Sequence, residues 1–200
     1  MQGDAFFRGE SPMHFTASKL AKKLRELEIP FAVTGGMALS PHNYRRYTDD
    51  VDVIVRPEDW KRFKERWLGL GYVEVFKGSK AVRDTEHDVK IDVLLTGGFP
   101  GDGKPKEFAF PDPARPGVVS DLPGVPIVTL ETLIELKIAS GKTALGRQRK
   151  DYADVIELIR HNRLQESFAR GLDAYVSQEF LALLNESRLL NEHPGDSLPE

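Results

Sequence analysis

Residues 48–55, Thr-Asp-Asp-Val-Asp-Val-Ile-Val, constrain the fold more than any other stretch of this 200-residue chain. The β-branched run predicts a strand, and strand side chains alternate between faces. Val51, Val53 and Val55 then point one way, and Asp50, Asp52 and Ile54 the other. Two carboxylates on one face, roughly 6 to 7 Å apart, repel by about 2 to 3 kcal/mol at an effective dielectric near 20. A strand end whose acids are simply solvated is one explanation; a use for paired carboxylates is the other. Asp49 fits best as a solvated or capping residue where the strand begins.

The neighbouring sequence favours a use. Upstream, IPFAVTGG reads as a short buried strand ending in Gly35 and Gly36, and GMALSPHNYR as a helix start reshaped by Pro41. Downstream, HDVKIDVLL places a third acid, Asp92, between Ile91 and Val93 in another apolar strand. Bound divalent cations explain three strand-borne acids: hard oxygen ligands suit Mg²⁺, and two such ions can hold both attacking and leaving oxygens of a phosphoryl displacement. Glycines free of side chains let backbone N–H groups approach a nucleotide's phosphates.

Around this centre, Leu20, Leu24 and Leu27 mark an amphipathic helix over 16–28, and Pro57 opens another carrying Trp60, Phe63 and Trp67 on a core-facing side. Strands are predicted at 72–76, 80–83 and 89–95. Residues 96–117 are too rich in Gly and Pro to be other than loop, and such a loop is a lid, a packed omega-like loop or disordered. Gly98, Gly103 and Lys104 imitate a P-loop, but Pro105 stands where its Ser or Thr belongs. From Thr129 the pattern is helical, ending in a frayed tail. The expected organisation is an αβ domain, 1–127, followed by a helical domain, 128–200.

Composition narrows the classes further. With no cysteine, disulfide scaffolds, thiolate zinc sites and cysteine nucleophiles are excluded. The net charge of -3 carries no global signal for nucleic acid or membrane. Residues 137–170, however, hold eight basic against four acidic side chains, a local face suited to a triphosphate or to RNA. No apolar run approaches the roughly 20 residues of a membrane span, so a cytoplasmic protein is expected.

TGGMALSPHNYRRYTDDVDVIV resembles the signature of the polymerase-β-like nucleotidyltransferase superfamily. LETLIELKIASGKTALGRQRKDYADVIELI is similar to the helical segment of bacterial nucleotidyltransferases of the AbiEii-toxin-like group. The resemblance implies an α+β palm with a mixed sheet and a C-terminal helical bundle. It implies that Gly35, Gly36 and Ser40 hold the nucleotide phosphates, that Asp50, Asp52 and Asp92 ligate two Mg²⁺ ions, and that Lys137 and Arg149 face the triphosphate. Pro41, directly after Ser40, departs from the helix this group usually keeps there. The implied activity is transfer of an NMP from an NTP to an acceptor hydroxyl on RNA such as tRNA, protein or a small molecule. A toxin paired with an antitoxin protein is one setting the resemblance allows. A nucleotide- or partner-binding module without turnover is the alternative. Residue by residue, Lys137 also fits a snorkelling surface lysine, and Asp151 and Asp154 fit acceptors for basic partners in the helical unit.

Overall fold

The computed structural model describes residues 10–120 and 124–192. The expected C-terminal tail from residue 193 lies outside the described residues. Helix α1 spans Pro12–Glu26, beginning at Ser11–Pro12 rather than near residue 16 because proline is pre-organised for a first helical turn. Strand β1, Phe31–Thr34, is fully buried and runs into the Gly35–Gly36 turn. Pro41 leaves only a short 3-10 turn, Ser40–His42, where the sequence suggested a helix start. Strand β2, Asp50–Val55, and helix α2, Pro57–Trp67, follow. Strands β3, Tyr72–Glu74, and β4, Val82–Asp84, are short, whereas β5 runs the full Val89–Leu95. Helices α3, Leu130–Thr143, α4, Leu145–Asn162, and α5, Ala174–Glu192, follow, with a 3-10 turn, Glu166–Gly171, before α5.

The five strands form one mixed sheet in the order β1-β2-β5-β4-β3. Only β2 and β5 are parallel, and their register sets Asp52 beside Asp92 and Asp50 beside Lys90. On the other side, β1 runs antiparallel to β2 with Thr34 opposite Asp52. The head of β2 is thus fixed from both flanks.

Alternation along the strands divides the core into two layers. Val51, Val53 and Val55 join Ile91 and Val93 under α1 and α2, where Leu20, Leu24, Trp60 and Phe63 are buried. Burial of each such large side chain is worth about 1.5 to 3 kcal/mol. Ile54, on the opposite face, packs with Ala32 against Leu133, Ile134 and Ile138 of α3, and through them against Val155 and Phe180 of α4 and α5. The acids share Ile54's face, and Asp52 there lines a cavity together with Leu133, Leu136, Lys137 and Ser140 of α3. Ile127, at the sequence boundary between the expected domains, bridges in parallel to Val33, and Val33 N–H donates to the Pro126 carbonyl at 2.8 Å.

Candidate active site

The structure brings Asp50, Asp52 and Asp92 together: a carboxylate oxygen from each lies within 4.8 Å of the others. Asp50 accepts a hydrogen bond from the Thr48 hydroxyl at 2.6 Å, and Asp92 one from the Lys90 ammonium at 2.7 Å. Asp52 has no such relief. Burial, then repulsion from Asp50 and Asp92, pushes its carboxyl up to about 7, against the pull of Arg147 and Lys137. Three hard oxygen donors this close together, with Asp52 held up by burial and by the other two, are the donor set Mg²⁺ takes, so the residues present fit a divalent cation.

The glycine turn fits against these acids without room for side chains. Gly35 has φ +63°, in the left-handed region, and a Cβ built on it would lie 1.8 Å from Asp52 Oδ2. A Cβ on Gly36 would lie 2.6 Å from Thr48 Cβ. Any larger residue at either position would push on the acids or on the threonine that orients Asp50.

Asp52 and Gly35 open onto a cavity of about 290 Å³ lined also by Lys137, Ser140, Arg147 and Asp151. The 97–110 loop forms another wall. It is a packed loop: Gly97 N–H donates to the Phe110 carbonyl and Phe110 N–H to the Gly98 carbonyl, and Lys106 ties Pro100 O, Asp102 and Thr143 together at 2.5, 2.7 and 3.0 Å. Lys137 is buried, with its Nζ 2.5 Å from Asp154 Oδ2 and 3.8 Å from Asp151 Oδ1. The lysine therefore reaches the cavity while held by acids of α4. Asp154 does accept basic partners, Lys137 and, from the αβ half of the chain, Arg46, whereas Asp151 lies 3.8 Å from Lys137 and from Arg147, beyond hydrogen-bond reach.

Ser40 and Arg149 are not brought to the cavity lining: Ser40 opens the 3-10 turn, and Arg149 is exposed on α4. Arg147, two residues earlier and about 200° around the helix, takes the cavity-facing position. Sequence reasoning missed Arg147 and Lys80, whereas the 97–110 wall belongs to the Gly- and Pro-rich loop it had singled out, in the packed form. A helical phase anchored on buried Val155, Leu158 and Ile159 would have separated Arg147 from Arg149. Trp60 and Phe63 are core residues as expected, and buried His42 serves the fold through a 2.8 Å bond between Nε2 and the Val128 carbonyl.

A mixed sheet with three acids at the head of its parallel pair and a glycine turn against them defines an α+β nucleotidyltransferase-like fold. Among solved structures, an antigenic nucleotidyltransferase-like protein from Paracoccidioides brasiliensis matches with 19% identity and a TM-score of 0.52, covering 90% of this chain and 88% of that one. The antibiotic-resistance factor ANT(2'')-Ia matches at 16% identity and TM-score 0.46, over 90% and 97% of the two chains. JHP933 from Helicobacter pylori matches at 16% and 0.44, over 89% and 91%. No protein-family profile and no curated sequence matches the chain significantly. Among the described residues, no helix is long and apolar enough to cross a membrane.

Proposed function

We propose that this protein is a Mg²⁺-dependent nucleotidyltransferase. The observation that carries the reading is the convergence of Asp50, Asp52 and Asp92 beside the Gly35–Gly36 turn, at the mouth of a cavity faced by Lys137 and Arg147. Asp50, Asp52 and Asp92 would hold the metal, which when bound supplies stabilisation of charge on the α-phosphoryl and leaving oxygens. The glycine turn lets backbone approach the phosphates, while Lys137 and Arg147 offset their charge. An acceptor hydroxyl oxygen forms the new bond to the α-phosphorus as the bond from that phosphorus to the pyrophosphate oxygen breaks. The hydroxyl proton passes to the Asp92 carboxylate, and pyrophosphate departs.

The acceptor belongs to RNA, protein or a small molecule, and the likeness to AbiEii-type sequences supports looking for a neighbouring antitoxin. The test is label transfer from each α-³²P NTP with Mg²⁺, offering total tRNA, the protein itself and an aminoglycoside panel. Label on one acceptor with the wild type, and none with Asp50→Asn, is the expected result. Transfer that survives in Asp50→Asn would remove the metal assignment, whereas Mg²⁺-NTP binding without transfer to any acceptor would favour a binding module.

A further inference from the structure

Arg46 lies in the segment between the glycine turn and β2, and its bonds lead across the molecule. Its Nε donates to Asp154 Oδ1 at 2.6 Å and its Nη2 to Asp154 Oδ2 at 2.8 Å, a bidentate pair spanning 108 residues of sequence. Lys137 Nζ donates to the same Oδ2 at 2.5 Å. Asp154 and Lys137 are both buried, and Arg46 is only 21% exposed. One carboxylate therefore holds two cations, one from each half of the chain. Asp151, 3.8 Å from Lys137, is too far to take a hydrogen bond from it.

We propose that Arg46 is a positioning residue for nucleotide binding: by occupying both oxygens of Asp154 it keeps Lys137 from being fully neutralised and fixes its ammonium on the cavity wall. The inference rests on the phosphate-facing role of Lys137 proposed above. An ammonium has three donors, and Asp154 takes one, so the others remain for a ligand. Were Arg46 absent, the buried carboxylate would have Lys137 as its sole close cation. An incoming phosphate would then have to break that pair and strand a buried charge, the costly outcome for any ion pair out of water. Arg46 carries this cost in advance. Because it stands four residues before Asp50, the same bridge also sets the spacing between the acid wall and the lysine wall.

Calorimetric titration with inorganic tripolyphosphate in the presence of Mg²⁺, the part common to every NTP, tests the coupling. Arg46→Gln is expected to weaken binding about tenfold, the size typical of a broken charge network. In a Lys137→Ala background, which already lacks the ammonium, the same change is expected to do little. Arg46→Lys, which retains one bond to Asp154, should fall between wild type and Arg46→Gln. In transfer assays the loss should appear in the NTP KM with kcat nearly unchanged. Equal losses in both backgrounds, or an Arg46→Lys protein as weak as Arg46→Gln, would overturn the proposal while leaving the nucleotidyltransferase reading intact. Tripolyphosphate affinity unchanged by Lys137→Ala would overturn it together with the phosphate role of Lys137. Should Arg46→Gln fail to fold, the cycle run with Arg46→Lys decides the same question.

Discussion

At the scale of single residues, the fold holds Asp52 in a state it would not choose alone. Its carboxyl belongs near 3.8 in an unfolded chain and is pushed up to about 7 here by burial and by Asp50 and Asp92. Between those values the folded state binds the extra proton, so metal-free stability falls as pH rises from about 4 to about 7 and stays low above. Asp52→Asn is expected to raise the unfolding midpoint in EDTA at pH 8 by about 4 to 8 °C, corresponding to about 2 kcal/mol, and to change little at pH 4. Differential scanning fluorimetry across pH checks this; a variant less stable than wild type at pH 8 would contradict it. The shared face of Asp50 and Asp52 was legible because a strand has a period of two and the acids are neighbours in sequence. The Arg46–Asp154 pair was not, since a charge match over 108 residues leaves no periodic trace. Ser40 and Arg149 show a different limit: a family likeness carries position along the chain but not the direction in which a helix or turn aims the side chain.

At the level of elements, the strands and helices followed hydrophobic period closely, and the departures have local causes. Pro12 starts α1 early, Pro41 leaves a 3-10 turn, and the turns flanking β3 and β4 shorten both. What periodicity could not show is how elements are tied. Asp84, at the end of β4, is fully buried and accepts from Thr16 at 2.8 Å, Lys19 at 2.6 Å and His87 at 2.7 Å, docking α1 onto the sheet. Burial pushes its carboxyl up, but the bonds from Lys19, His87 and Thr16 outweigh it and hold the group down at about 2. The stabilisation is complete above the unfolded value near 3.8 and disappears as pH falls toward about 2. Removing one partner of such a cluster strands the others, so Asp84→Ala is expected to cost about 3 to 5 kcal/mol in urea unfolding at pH 7. A loss under 1 kcal/mol would show that the cluster does not hold α1.

For the molecule as a whole, the mixed α+β class with trailing helices was legible, while the strand order was not: sequence does not say that β5 inserts beside β2 and leaves β3 at the edge. Nor does periodicity reveal that Ala32, Ala38, Leu39 and Ile54 of the first half and Leu133, Ile134 and Ile138 of the second share one core layer. Residues 1–127 expressed alone would expose that layer. The fragment is therefore expected to bind the dye ANS and to lack a cooperative thermal transition, whereas sharp unfolding with native-like near-ultraviolet dichroism would show that it folds by itself. The same construction has a consequence during synthesis. Asp52 leaves the ribosome about a hundred residues ahead of Asp154, which at roughly 5 to 20 residues per second means roughly 5 to 20 seconds. Through that interval the nascent chain holds its acids without Lys137 anchored by Asp154, so the lysine wall of the cavity is complete only after α4 has emerged.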